Sequence, residues 1–123
     1  MFEMNKNYTR EFIHQVCGGN KQAFLPMKNG KVVAACLRTD LNPQAPDVII
    51  CNSSASANAA GRTLSAQRDA IPVFIKTDTD AYRFAGLYAP DESFVTPLSC
   101  APYVQNCGLT SAQVSRVIKM QRR

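Results

Sequence analysis

The residues of this 123-residue chain best suited to covalent or metal chemistry are a single histidine and five cysteines. His14 precedes Cys17 by three positions, a spacing that sets two side chains side by side on a helix. A thiolate beside an imidazolium is a nucleophile. Cys17, however, continues an apolar face with Phe12, Ile13 and Val16, and reads as a small buried hydrophobe. Ser53 and Ser54 follow an apolar run and open a helix, where a nucleophile elbow would place its serine. G-x-S-x-G is absent, no second histidine can serve as base, and the serines read as helix caps. Asp78 with Asp80, and Asp91 with Glu92, are carboxylate pairs in turn sequences, where aspartate is favoured by local hydrogen bonding. No cysteines are spaced C-x-x-C, and no phosphate loop, dinucleotide fingerprint or metalloprotease motif occurs. The expectation is a protein with no catalytic residue, no metal and no cofactor.

Residues that bind are better represented. Asn52-Ser53-Ser54, between a strand and a helix, can offer backbone N–H groups to a phosphate. Arg62 and Arg68 fall on the helix that follows, and Lys76 ends the next strand. Tyr82, Phe84 and Tyr88 share one side of a strand by period-two alternation. Such a face either packs into a core or stacks a base. The net charge is +5, from 14 lysines and arginines against 9 acids. The last eight residues hold Arg116, Lys119, Arg122 and Arg123 and no acid, which leaves ten bases against nine acids in the body. The basic tail is either a solvated helix end, where cations suit the macrodipole, or a phosphate-contacting arm. Candidate nucleic-acid-binding residues are therefore Ser53, Ser54, Arg62, Arg68, Lys76, Tyr82, Arg116 and Lys119.

Positioning these groups falls to short elements. Asn7 to Val16 reads as a helix capped by Asn7 or Thr9 and ended by Gly18-Gly19. Residues 23–37 read as a hairpin turning at Asn29-Gly30, with Pro26 marking its first strand as an edge or a bulge. The prolines at 43 and 46 make a loop, and Asp47 to Cys51 is a strand covered on both faces. Ala55 to Asp69 is a helix begun by Ser53 or Ser54 and weakened by Gly61. Strands follow at Ile71–Lys76 and Ala81–Tyr88, the latter ended by Ala89-Pro90-Asp91, with a short strand possible at Ser93–Val95. Thr110 to Gln113 fits a capping box, and Val114, Val117 and Ile118 then form the stripe of a final helix. The sum predicts an α+β fold: a small mixed, partly closed β-sheet or barrel with flanking helices. The strand–helix–strand from Asp47 to Lys76 is also compatible with a right-handed crossover in an open α/β sheet.

Length limits the chain to a single domain over residues 1–123, with room for a core of its own. Hydrophobic residues at 46% and charged residues at 19% are those of a globular protein. No apolar run approaches the roughly 18 residues of a membrane span, and the first ten residues lack the apolar stretch of a signal peptide. An odd cysteine count without paired spacing points to a reducing, cytoplasmic setting with no intrachain disulfide.

The run Asn42-Pro43-x-Ala45-Pro46-Asp47-Val48-Ile49-Ile50, the helix after it, Ile71-Pro72-Val73-Phe74-Ile75-Lys76 and Tyr82-Arg83-Phe84-Ala85-Gly86-Leu87-Tyr88 together resemble small β-barrel domains of the PUA-like and SRA-like group, which occur with modification-dependent restriction nucleases. The resemblance implies a DNA reader without catalysis, one that takes a modified base flipped into a pocket. By position it points to Arg62, Lys76 and Tyr82. The alternative is a small protein-interaction module, such as a phage or mobile-element inhibitor of a bacterial defence nuclease, with a defence-system protein as partner. Its support is the small size and nearly neutral body.

Overall fold

A computed structural model of the chain describes residues 2–123. Strand β1 (Asn7–Tyr8) leads into helix α1 (Arg10–Cys17), which begins where Thr9 Oγ1 accepts from the Phe12 N–H at 3.1 Å. It ends where the Gly18 N–H returns to the His14 carbonyl at 2.8 Å. The expected hairpin forms as a short ribbon, β2 (Met27–Lys28) and β3 (Lys31–Val32), with Asn29 and Gly30 both at positive φ. It does not run on to residue 37, because β4 (Ala35–Leu37) leaves the ribbon and joins the main sheet. The remaining elements are β5 (Val48–Asn52), α2 (Ala55–Ala66), β6 (Ile71–Asp78), β7 (Ala81–Phe94), α3 (Pro97–Cys100) and β8 (Val114–Arg122).

The main sheet has the order β4-β6-β7-β8-β5, with β1 added along β7. Only the β4–β6 pair is parallel, so the sheet is mixed. Its path ends at β4 and β5, which do not pair, and no barrel closes. The α+β reading with flanking helices holds. The crossover reading does not: two strands separate β5 from β6, and the antiparallel steps between them make β5 and β6 run in opposite directions.

Both faces of the sheet are covered. Helix α2 lays Ala60 and Leu64 on one face, in a cluster with Leu37, Ile49, Val73, Tyr88 and Ile118. Helix α1 lays Ile13 on the other, with Tyr8, Cys36, Phe74 and Phe84. A third cluster joins Val48, Ile50 and Val117 to Cys100 of α3 and the segment after it. Among the described residues no helix is long and apolar enough to cross a membrane.

Three sequence expectations are corrected. The capping box at Thr110 is real, with Gln113 Oε1 accepting from the Thr110 N–H at 2.9 Å, but it closes only one 3-10 turn, Ser111–Gln113. The chain then becomes strand β8, not a helix. Val117 and Ile118 are buried on opposite faces of the sheet, so the strand needs no alternation, and its β-branched residues suit a strand. Arg116 and Lys119 are thus strand residues, and the helical arm is absent. Second, β7 does not stop at Pro90; a register shift between Pro90 and Ser93 carries it on to Phe94. Third, Tyr82, Phe84 and Tyr88 do not share one side. A bulge between the Val73–Gly86 and Phe74–Phe84 pairs inserts Ala85 and reverses the alternation. Tyr82 and Phe84 then face the α1 side and Tyr88 the α2 side.

Gly61 has a packing role that its low helix propensity conceals. A Cβ there would sit 2.7 Å from the Sγ of Cys51, a fully buried neighbour on β5. At an open helix position Gly→Ala gains about 1 kcal/mol. Gly61→Ala is expected to do the reverse and lower stability by roughly 1 kcal/mol or more through overpacking. The midpoint of urea unfolding measures this, and an unchanged or raised midpoint would contradict the close approach.

Candidate functional site

A cavity of about 550 Å³ opens beside the N-terminus of α2; pockets of roughly 300–1,000 Å³ are typical for small ligands. Rigid elements supply much of its wall: Cys36 on β4, Ile50 and Asn52 on β5, Ala57 and Ala60 on α2, and Tyr82 on β7. Connections supply most of the rest: Asn20, Gln22 to Leu25, Arg38, Leu41 and Asn42. Those connections are pinned by hydrogen bonds to the backbone. The Arg10 guanidinium donates to the carbonyls of Asn20 and Ala23 at 3.0 and 2.8 Å, and Asn42 Oδ1 accepts from the Ile50 N–H at 2.7 Å. Asn42 is buried, the single such polar residue among those described.

Tyr82 forms one wall of the cavity, half-buried, with the Arg10 guanidinium carbon 5.5 Å and the Lys76 ammonium 5.9 Å from its ring centroid. Arg38 also lines the cavity but forks onto Asp40, with distances of 3.1 and 2.6 Å. That fork holds the exposed Asp40 carboxyl below its usual range. No aspartate or glutamate is among the lining residues.

The sequence candidates fall into three groups. Ser54 and Tyr82 reach the cavity, and Lys76 stands beside Tyr82. Ser53 precedes the α2 cap, but neither serine has a free backbone N–H: Ser53 donates to the Gln113 carbonyl at 2.9 Å and Ser54 to Asn52 Oδ1 at 2.9 Å. The Ser54 side chain caps the helix by accepting from the Ala57 N–H at 3.2 Å. The open donors of the first turn lie just beyond, at Ala55 and Ser56. Arg62 and Arg68 are exposed, on α2 and just after it, and form no ion pair among the described residues. Arg116 and Lys119 are engaged away from the cavity. Arg116 donates to Ser65 Oγ and Ser93 Oγ, both at 3.2 Å, and Lys119 pairs with Glu92 at 3.6 Å.

Arg10, Asn20 and Asn42 carried no functional reading in the sequence, and Asn52 was read only for the backbone of its turn. For Arg10 a signal existed, since a cation in the first turn of a helix opposes the macrodipole and so implies another task. Asn42 before a proline reads as a loop residue, and its partner at Ile50 is visible only in three dimensions.

His14 and Cys17 are not arranged as a nucleophile and base. His14 Nδ1 donates to the Gly19 carbonyl at 2.7 Å, and burial raises the Cys17 thiol pKa. Burial also pushes the thiols of Cys36 and Cys51 up to about 12. No group of His, Cys, Asp and Glu among the described residues is placed to hold a metal ion. At pH 8.5, alkylation of the folded protein is expected to leave Cys36 and Cys51 unmodified, whereas both react fully in denaturant. Rapid labelling of either in the folded state, followed by peptide mass analysis, would contradict their inert role.

No family model matches the sequence, and no curated protein matches it. Among solved structures, the fold is similar to the SUVH5 SRA domain in its complex with hemimethylated CG DNA. The TM-score is 0.67 at 12% identity, over 99% of this chain and 89% of that one. The fold is therefore SRA-like.

Proposed function

We propose that this chain is a non-catalytic DNA-binding domain that holds a flipped, modified base in the cavity beside Tyr82. The observation that carries this is a nucleotide-sized cavity, free of carboxylates and walled by an aromatic ring, in an SRA-like fold. The similar SRA domain was crystallised with hemimethylated DNA, which supports DNA as the partner. In this reading the base stacks on Tyr82. Phosphates are met by Arg62, Arg68 and Lys76 and by the turn at Ser53 and Ser54, through the N–H groups of Ala55 and Ser56. Arg116 and Lys119 add to the positive field from their places on β8. A cytoplasmic setting and an association with modification-dependent restriction systems go with the same reading.

Fluorescence anisotropy with plain and cytosine-modified duplexes and single strands, at several salt concentrations, tests it. Affinity should fall with salt by a log–log slope of about −0.9 per neutralised phosphate on duplex DNA. Replacing Arg62, Arg68 and Lys76 by Gln should flatten that slope by about one for each phosphate that the variant no longer neutralises. Tyr82→Ala should cost about 1–3 kcal/mol with the slope nearly unchanged, in protein shown by circular dichroism to remain folded. No binding to any of these at low salt would contradict the proposal.

A further inference from the structure

The polar lining of the cavity is biased toward hydrogen-bond donors. Asn20, Asn42 and Asn52 all line it, and in each the amide oxygen is already engaged by the backbone. Asn20 Oδ1 accepts from the N–H groups of Gln22 and Ala23 at 2.6 and 3.1 Å. Asn42 Oδ1 accepts from Ile50 at 2.7 Å and Asn52 Oδ1 from Ser54 at 2.9 Å. A backbone N–H can only donate, so the amide end that faces it must be the oxygen. The NH2 ends are thereby the ones left over, and they can only donate.

Asn42 is the deciding residue. It is 4% exposed, and its Nδ2 has no protein partner among the described residues, yet that atom is not sealed from solvent. Asn42 is among the residues that line the cavity, so its unpartnered amide nitrogen is the donor it has to offer there. Arg10 adds to the surplus, for its Nε is buried at the wall without an acceptor. The Ser54 hydroxyl oxygen already accepts from Ala57, leaving its proton to donate. Gln22, exposed at the rim, can serve either way. Against these donors the lining offers no carboxylate.

Resting on the reading of the cavity as a base pocket, we infer that it selects a base by its carbonyl edge, with Asn42 Nδ2 as the selecting donor. The favoured class is the keto pyrimidine of the uracil or thymine type, plain or modified at carbon 5. Its 4-oxygen accepts, whereas the 4-amino group of a cytosine-type base donates. A carbonyl set against Asn42 satisfies the amide. An amino group there opposes donor to donor and leaves both without a protein acceptor, the kind of mismatch that gives discrimination.

The test uses duplexes identical except for one central nucleotide, placed opposite an abasic site so that its extrusion breaks no base pair. The central base is uracil, thymine, 5-hydroxymethyluracil, cytosine or 5-methylcytosine, and affinity is read by anisotropy. Uracil and thymine are expected to bind about tenfold or more tightly than cytosine and 5-methylcytosine respectively. Asn42→Asp keeps an oxygen for the Ile50 N–H and replaces the donor by an acceptor. It should bring those ratios to one or below. The ratios in the unaltered protein decide the matter even if the variant fails to fold. Equal or tighter binding of the cytosine-type duplexes by the unaltered protein would overturn the carbonyl-edge inference while leaving DNA binding intact. A folded Asn42→Asp variant with unchanged ratios would overturn the role of Asn42. No binding to any duplex would overturn both this inference and the DNA-binding reading beneath it.

Discussion

One strand holds the architecture together. Over its 14 residues, β7 pairs first with β6 and β1 and then with β8. Tyr88 stands at the hand-over, opposite Ile71 on one side and Arg122 on the other. A straight strand of this length would keep each face to a single layer. Two register shifts that insert residues into β7 prevent that, and at the first of these Gly86 takes a φ of 130° that a side chain would resist. The result is that β7 sends Phe84 into the cluster under α1, Tyr88 into the cluster under α2, and Phe94 against the third. Every hydrophobic cluster has a residue from this strand, so its bends set the curvature of the sheet and the spacing of the layers on either side.

The cavity follows from that arrangement. Tyr82 lies at the start of β7, before the first bulge, on the face that α1 covers. Arg10, at the first position of α1, reaches past that ring to hold the Asn20 and Ala23 carbonyls. Across the cavity, Asn42 ties its loop to β5, and Asn52 orders the turn into α2. The amide oxygens of the three asparagines in the wall are thus consumed in holding the wall in place. What remains is largely aromatic, aliphatic or donating, with the Gln22 and Ser56 side chains able to serve either way, and this link between structural pinning and chemical bias gives the cavity its character. Positioning of this kind suits binding, in which fixed groups meet a ligand of complementary polarity.

Local chemistry made much of the fold legible. Thr9 and Ser54 as helix caps, Asn29-Gly30 as the ribbon turn, and the apolar run at β5 all depend on neighbours in sequence, and all stand where expected. The failures came where a local signal was correct and tertiary packing overrode it. Val114, Val117 and Ile118 have helical spacing after a true capping box, but a strand between β7 and β5 buries both faces and erases the alternation that would identify it. The Ala85 bulge likewise leaves no mark in the periodicity of β7. At the cavity, Ser54 and Tyr82 were legible because a cap residue and an aromatic strand position are local features. Asn42 and Asn52 were not, because their importance lies in which end of an amide is already used, and that is settled by three-dimensional neighbours the linear pattern does not display.

The central claim, that the cavity between Tyr82, Asn42 and the α2 N-terminus receives the nucleic acid, is tested most directly by mapping nitrogen-15 chemical shifts during titration with a short duplex. The account predicts that the Asn42 side-chain amide, the backbone amides of Ala55 and Ser56 and that of Tyr82 move together and saturate at one stoichiometry. Saturating shifts confined to another surface, such as the outer residues of β8, with these cavity resonances unmoved, would contradict it.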